Sequence, residues 1–300
     1  MTKNHRASYP SLFVSHGAPT LALEDCAVTQ YLTRLGEGLE QPKAILMVSA
    51  HFNQSQPTIV SGEDLETIHD FGGFPADLYG IQYPAKGKPE LALKVRDLLA
   101  GAGFSPVLDH SRGMDHGCWV PLIHMYPKAD VPIVQLSISM GQSPQWHFEL
   151  GQALSGLREE GVLIIGSGSA SHNLRELRMP GLEEEEPTVP WVRDFTDWVT
   201  DKIESGDYRA VLSAVTDAPE GKRNHPTMDH IHPLFFALGA GGSSQAKGSS
   251  PRGKRIHAST TYGVLAMDIY AFGSDEQVSS AVNSVVLLGS GDVSSFPGSV

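Results

Sequence analysis

Four histidines stand beside apolar segments of the chain and could together hold a metal ion. They are His16, His51, His172 and His230, in the segments SLFVSHG, AILMVSAHF, VLIIGSGSASHN and HPTMDHIHPLFF. A single histidine at a strand end usually bonds only to backbone, but four in equivalent positions favour a shared site. The carboxyl ends of parallel strands open onto one crevice, so we expect these imidazoles to converge on one metal. Asp229 precedes His230, either as an alternative ligand or as an acceptor that orients an imidazole.

Other histidines divide into candidate site residues and structural residues. His116, between Asp115 and Gly117 in RGMDHGCW, has the setting of an exposed functional ring. His69 and Asp70 in TIHDFGGFP are expected to border the pocket. The remaining rings are taken as structural or surface residues, with His225 the first to reconsider: His5, His110, His124, His147, His225, His232 and His257.

Short apolar runs and helical patterns alternate along the chain, which predicts an α/β fold. Runs rich in β-branched residues and without strict alternation are typical of buried parallel strands. These runs are Leu12–Val14, Ala44–Ser49, Val131–Ile138 and Val162–Ile165. The predicted crossover helices are Pro89–Leu99, Trp119–Met125, Trp146–Leu157 and Pro190–Glu204. We therefore expect one three-layer domain over residues 1–272, with a mostly parallel central sheet and helices on both faces.

The end of the chain is expected to be less regular. Ile256–Ser259 and Val264–Tyr270 are predicted to add strands, antiparallel at one edge of the sheet. The acidic segment Gly181–Pro187 and the glycine-rich segment Gly239–Lys254 are predicted to be loops. The tail 273–300 lacks a clear helical period, and its NSVVLLGS segment is expected to be a lone strand or unstructured.

Composition excludes several classes of protein. The 300 residues include 22 basic and 34 acidic side chains, a net charge of −12, which disfavours nucleic acid as a partner. Two cysteines, Cys26 and Cys118, are too few for a disulfide framework. No apolar stretch is long enough for a membrane span, and the start MTKNHRASYP lacks a signal-peptide core. We therefore expect a cytoplasmic protein.

Eight ordered motifs resemble the class III extradiol ring-cleavage dioxygenases of the LigB type, and most of all their DOPA 4,5-dioxygenase branch. The resemblance extends from about Ser11 to about Phe272. The motifs are SHGAPT, VSAHF, HDFGGFP, YPAKG, DHGCWVPLIHMYP, VPIVQLSI, GSGSASHNL and HPTMDHIHPL. This resemblance implies that His16, His51 and His230 hold the metal, that His116 contacts substrate, and that His172 acts on the substrate or becomes a fourth ligand when zinc is bound.

The resemblance also implies the function. We expect a non-haem Fe(II)-dependent dioxygenase that opens the ring of a small, DOPA-like catechol with O2 to give a semialdehyde. His172 would take a proton from a catechol hydroxyl and later return it, because a neutral imidazole suits that task near neutral pH. Asp115 and Phe52, beside His116 and His51, are expected to help bind substrate.

Two other functions are compatible with the same residues. Zinc binds nitrogen ligands more tightly than Fe(II) does and could occupy the site in purified protein. A zinc-dependent hydrolase that uses metal-bound water is therefore one alternative. A non-enzymatic binding protein on the same fold is the other, although such a scaffold needs no metal triad. The sequence does not decide the oligomeric state, and a homo-oligomer is one of the options.

Overall fold

The computed structural model describes residues 8–177, 187–242 and 251–289. Within these ranges the strands are β1 Ser11–Ser15, β2 Ala44–Asn53, β3 Thr58–Val60, β4 Val107–Asp109, β5 Ile133–Ile138, β6 Val162–Gly168, β7 Gly253–His257, β8 Thr260–Thr261, β9 Leu265–Ala266 and β10 Ile269–Phe272. The α-helices are α1 Ala27–Gly38, α2 Pro89–Gly101, α3 His116–Met125, α4 Pro144–Leu154, α5 Pro190–Glu204, α6 Tyr208–Leu212, α7 Ala214–Asp217, α8 Gly221–Asn224, α9 His232–Ala240 and α10 Asp275–Gly289. Short 3-10 helices span Pro19–Leu23, Ala76–Gly80, Ser155–Glu160 and Leu174–Glu176.

One eight-stranded sheet in the order β4-β3-β5-β2-β6-β1-β10-β7 forms the centre of the fold. Strands β5, β2, β6 and β1 pair in parallel, which brings their carboxyl ends to the same edge. Strands β10 and β7 extend the sheet in antiparallel pairing. The expected mostly parallel sheet with an antiparallel edge is therefore confirmed. A separate hairpin joins β8 and β9.

Helices cover both faces of the sheet because the central strands are apolar on both sides. Leu12 and Val14 of β1 pack in a core that includes residues of α1, α3 and α10. Phe13, between them, points to the opposite face and packs in a core with residues of α5 and α9. Successive side chains of a strand point to opposite faces, so an unbroken apolar run requires a layer on each side. The three-layer α/β fold is thus confirmed.

The four predicted helices are present; α5 has the predicted bounds Pro190–Glu204, and the other three have at least one shifted end. Helix α3 begins at His116, earlier than expected, because the Asp115 side chain caps it by accepting the Cys118 N–H. Helix α4 ends at Leu154, and a 3-10 helix continues to Glu160. In the part of the chain that the structure describes, none of the helices combines the length and apolar character needed to cross a bilayer.

The two predicted surface loops are only partly covered by the structure. Of the acidic segment Gly181–Pro187, residues 181–186 lie outside the described residues. The predicted loop Gly239–Lys254 was too long at both ends. Gly239 is still within helix α9, and Gly253 already belongs to strand β7. The middle of this segment, residues 243–250, also lies outside the described residues.

The expectation of a tail without a helix was wrong, because Asp275–Gly289 forms helix α10. The side chains of Val278, Ala281 and Val285 belong to or pack against the core that contains α1. Their spacing of three and four residues places them on one helix face. The small and polar residues between them weaken this pattern in the sequence. Residues 290–300 lie outside the described residues.

Helix α10 should stabilise the domain through this apolar face. Ala281 is completely buried, so Ala281→Asp would place an unpaired charge in the core and should lower the free energy of unfolding by about 3 kcal/mol. Asn283→Asp places the same charge on an exposed position of the helix and should change it by less than about 0.5 kcal/mol. Urea denaturation measures both values. Equal effects of the two substitutions would show that α10 does not pack as described.

Candidate metal centre and active site

The carboxyl ends of β1, β2 and β6 carry the first histidines of the site. His16 directly follows β1, and its backbone N–H donates to the Gly168 carbonyl at 3.0 Å. Gly17, with a φ of 64°, then turns the chain away from the sheet. His51 lies within β2, because the strand continues to Asn53 through an irregular register with β5. His172 follows the end of β6, and its N–H donates to the Asn224 carbonyl at 2.9 Å.

Two glycines let the backbone segments around these histidines approach closely. A Cβ on Gly117 would lie 2.4 Å from Ser49 Oγ and 3.1 Å from His51 Cδ2, so only glycine lets the start of α3 reach β2. A Cβ on Gly168 would lie 2.1 Å from the His230 carbonyl oxygen. The His230 turn therefore rests directly on the end of β6.

Five imidazoles converge at this edge, including all four that the sequence predicted. The ring centroids of His16 and His51 lie 4.9 Å apart, and that of His230 lies 5.3 Å and 4.9 Å from them. His116 is closer still to His51, at 3.9 Å. His172 stacks on His230 at 3.4 Å with an interplanar angle of 9°.

The closest groups of candidate ligand atoms differ from the expected trio. His16, His51 and His116 form one group, and His172, Asp229 and His230 form another, with the ligand atoms of each group within 4.8 Å of one another. Of the three expected ligands, His16 and His51 belong to the first group and His230 belongs to the second. His116 is thus near enough to the candidate metal ligands to be tested alongside them.

In three of the rings, a partner at Nδ1 leaves Nε2 available for other contacts. His16 Nδ1 lies 3.0 Å from Ser167 Oγ, which itself donates to the Gly117 carbonyl. His116 Nδ1 lies 2.9 Å from Asp70 Oδ1, and His230 Nδ1 lies 2.7 Å from Asp229 Oδ2. A carboxylate accepts but does not donate, so both of these Nδ1 atoms carry the proton. Such partners orient metal-binding histidines in proteins generally.

Burial keeps several of these rings neutral. Burial and then the neighbouring imidazoles hold the pKa of His16 well below its usual range and lower the pKa of His51 to about 2. Burial and the stacked His230 ring lower the pKa of His172 to about 3. Burial tends to raise the pKa of Asp229, but the hydrogen bond from His230 outweighs it and holds that pKa below its usual range. The site therefore combines neutral imidazoles with carboxylate acceptors behind them.

This donor set fits a divalent transition metal. The Nε2 atoms of His16 and His51 lie 3.0 Å apart. Metal–nitrogen bonds of about 2.1 Å at right angles would separate two ligand nitrogens by about 3.0 Å. Neutral imidazole suits iron and zinc alike, so the donor set does not choose between them.

Two side chains that were expected to help bind substrate, Asp115 and Phe52, lie away from the cavity. Asp115 is completely buried and binds protein groups instead, as the cap of α3 and as acceptor from Ser49 Oγ at 2.6 Å and from Gln135 Nε2. Phe52 is also buried, on the core side of β2, with the Arg112 guanidinium 4.2 Å from its ring centroid. Neither side chain lines the cavity at the imidazoles. Adjacency in sequence to a site histidine did not place these side chains on the same side of the backbone.

A cavity of about 510 Å³ opens above the imidazoles, and its walls are mainly apolar. His51, His116, His172 and His230 form its polar part. The other lining side chains include Phe71, Phe74, Leu174, Leu177, Tyr262 and Leu265. The TIHDFGGFP segment was expected at the border of the pocket, and residues 71–74 of this segment do line the cavity. Nothing in the sequence pattern indicated that the β8–β9 hairpin contributes Tyr262 and Leu265.

The histidines taken as structural stay away from the cavity where the structure describes them. His225 is buried, and its Nε2 donates to the Ala170 carbonyl at 3.0 Å. His147 and His232 stack on each other at 3.9 Å between α4 and α9. His69, which was expected at the pocket border, donates to the Ile81 carbonyl behind it. His5 lies outside the described residues.

Metal binding should depend on the rings proposed as ligands. His16→Ala, His51→Ala and His230→Ala should each weaken binding by more than the roughly 10- to 100-fold that loss of an orienting partner costs. His116→Ala should keep the metal. Chelator competition with Co(II) or Zn(II) measures these affinities, and the exposed His110→Ala is the control. Full occupancy in His230→Ala with loss in Asp229→Ala would show that the carboxylate is the ligand, and loss in His116→Ala would add that ring to the ligands.

Comparison with known proteins agrees with this geometry. The family model for the catalytic LigB subunit of aromatic ring-opening dioxygenase matches residues 11–265. A Beta vulgaris protein called 4,5-DOPA dioxygenase extradiol is 41% identical over 88% of this chain and 96% of its own length. An Escherichia coli protein of the same name is 40% identical over 77% of this chain and 84% of its own length.

A solved structure supports the same assignment. The crystal structure of an uncharacterized protein from Escherichia coli K12 superposes with a TM-score of 0.72 and 33% identity, and it covers 88% of this chain and 100% of its own. The chain therefore belongs to the family of catalytic LigB subunits of aromatic ring-opening dioxygenases.

Proposed function

We propose that this protein is an Fe(II)-dependent extradiol dioxygenase that opens the ring of a small catechol with O2 and releases a semialdehyde. The observation that carries the proposal is the group of five imidazoles, four of which line the polar end of an apolar cavity. Membership of a ring-opening family and relatives named as DOPA dioxygenases support it. A cytoplasmic location is part of the proposal, since Cys26 and Cys118 are free thiols.

His16, His51 and His230 are the proposed metal ligands. Fe(II) held by three protein ligands would offer open positions for the two catechol oxygens and for O2. The hydrogen bonds from Nδ1 of His16 and His230 fix how these two rings present Nε2. Zinc would suit the same rings, with His172 as a fourth ligand.

His172 and His116 are the proposed catalytic residues. His172 lines the cavity as a neutral ring, and the unprotonated nitrogen of a neutral imidazole can accept a proton from a catechol hydroxyl. Stacking against His230 keeps its ring in place beside the proposed ligands. In its neutral tautomer His116 presents Nε2 as an acceptor, because Nδ1 keeps the proton and donates it in the hydrogen bond to Asp70. It would therefore accept a hydrogen bond from the second catechol hydroxyl.

The cavity walls fit a flat aromatic substrate. Phe71 and Phe74 on one side, and Leu174 and Leu265 among the other lining residues, offer apolar surface to a ring. The volume of about 510 Å³ lies within the usual range for small-molecule sites, about 300–1,000 Å³. The relatives' names make DOPA-like catechols the first substrates to test.

Oxygen consumption tests the proposed function. The protein is stripped of metal, loaded with Fe(II) without oxygen, and mixed with a panel of catechols in air-saturated buffer. We expect O2 uptake with at least one catechol, and both atoms of labelled O2 in a ring-opened product. A protein that holds one Fe(II) per chain and consumes no O2 with any catechol would contradict the proposal. Ester or amide hydrolysis by the zinc form, without O2 uptake, would favour the hydrolase.

His172→Ala should separate chemistry from metal binding. Loss of one acid–base group typically lowers turnover by about 10²- to 10⁴-fold, and we expect a decrease of that size in kcat. Bound Fe(II) should stay at the parental level, as measured by metal analysis of the same sample. His225→Ala, which removes a buried ring outside the cavity, is the comparison for general effects on folding. Turnover at the parental rate in His172→Ala would refute its role as base.

His116→Ala should act mainly on substrate use. Its proposed contact is the catechol oxygen, so kcat/KM should decrease more than bound Fe(II) does. Steady-state kinetics on the Fe(II)-loaded variant, with metal analysis, separate the two effects. Unchanged kcat/KM would show that His116 does not contact the substrate.

A further inference from the structure

We propose that Asp70 is a positioning residue, which holds the His116 and His51 rings with Nε2 toward the site. The inference deepens the proposed function and depends on it only for the effect on turnover. The effects of Asp70 on ring orientation and on metal affinity are expected whatever metal-dependent reaction this site catalyses.

The Asp70 carboxylate bridges two elements that carry site histidines. Its Oδ1 accepts from the His116 backbone N–H and from His116 Nδ1, each at 2.9 Å. Its Oδ2 lies 3.9 Å from His51 Nδ1, too far for a hydrogen bond but close enough for a charge–dipole attraction. One side chain thus contacts the first turn of α3 and the ring on β2.

These contacts determine which ring nitrogen is free. Because a carboxylate has no proton to give, His116 Nδ1 carries the proton of the Asp70 hydrogen bond, and in the neutral tautomer Nε2 has the lone pair, on the side away from Asp70. His51 Nε2 faces His16 Nε2 at 3.0 Å and must present its lone pair when a metal binds both nitrogens. The negative charge of Asp70 favours the Nδ1–H form of His51 that this requires.

The His116 ring that Asp70 holds also contacts the cavity wall. Phe71, the residue after Asp70, lines the cavity and meets the His116 ring edge-on at 5.7 Å. Phe71 also contacts the Tyr79 and Trp119 rings. The His116 ring therefore lies between the Asp70 carboxylate and a packed aromatic wall.

A purely structural role of Asp70 can be distinguished from this one. If Asp70 only capped α3, asparagine would replace it, because the amide oxygen can still accept the His116 N–H. That oxygen can also still accept from His116 Nδ1, but without the negative charge, and the NH2 group, which can only donate, replaces Oδ2 beside His51 Nδ1. Asp70→Asn should therefore preserve the fold while it weakens the control of both rings.

The first measurement needs no variant. Nitrogen-15 NMR of the histidine rings in the metal-free protein distinguishes the two neutral tautomers, and the His116→Gln spectrum identifies the His116 signals. We expect the Nδ1–H tautomer for His116. An Nε2–H tautomer in the unaltered protein would overturn the proposal, whether or not any variant folds.

Metal affinity and kinetics of Asp70→Asn provide the second test. Chelator competition should show Co(II) or Zn(II) binding weakened by about 10-fold, the lower end of the usual cost of losing an orienting partner, because Asp70 reaches the proposed ligand His51 only through the 3.9 Å contact. The matched control is Asp64→Asn, which removes an exposed carboxylate paired with Lys86 outside the site. Affinity within twofold of the control, with an unchanged His116 tautomer, would overturn the proposal.

A double variant tests whether Asp70 acts through His116. If it does, Asp70→Asn should lower kcat/KM much less in the His116→Ala background than in the unaltered chain. Equal decreases in both backgrounds would refute action through His116. If the Fe(II)-loaded protein consumes no O2, the proposed function fails, while the tautomer and metal affinity still decide the role of Asp70.

Discussion

Five imidazoles whose rings lie within 5.5 Å of a neighbour in a buried site cannot all be positively charged. Burial removes the hydration that a positive ring needs, and each neighbouring charge would repel the next. Burial and the neighbouring imidazoles accordingly lower the pKa values of His16, His51 and His172 and keep these rings neutral. A neutral imidazole has one donor and one acceptor nitrogen, so its partner decides which nitrogen faces the site. Ser167, Asp70 and Asp229 supply those partners.

The fold supplies the close spacing that this arrangement requires. Parallel strands bring His16, His51 and His172 to one edge of the sheet, and α3 and the turn before α9 bring His116 and His230 from opposite layers. Close backbone contact at Gly117 and Gly168 makes this convergence possible. The cavity walls come from peripheral segments, so the metal-binding end and the apolar end of the site are built by different parts of the structure.

The sequence predicted the central fold and the site histidines because both follow from local patterns. Apolar runs mark buried strands, and histidines at their ends are brought together by the parallel sheet whatever the loop lengths are. Asp115 and Phe52 were assigned to the site only as sequence neighbours of site histidines. Phe52 follows His51 on β2, and successive side chains of a strand point to opposite faces, so it enters the core. Asp115 is a helix cap, and its contact with Gln135 joins residues 20 positions apart. The Asp70–His116 pair spans 46 positions and depends on the tertiary fold. Helix α10 was missed because serines and an asparagine interrupt the period of its apolar residues.

The most direct test of the account is the position of the bound metal. Crystals of the Fe(II)-loaded protein, grown without oxygen and measured at the iron absorption edge, would give an anomalous-difference peak. The account predicts one peak at the carboxyl edge of the sheet, within bonding distance of Nε2 of His16 and His51 and of a third protein ligand. A peak bonded to Nδ1 atoms, or one located away from this edge, would contradict it.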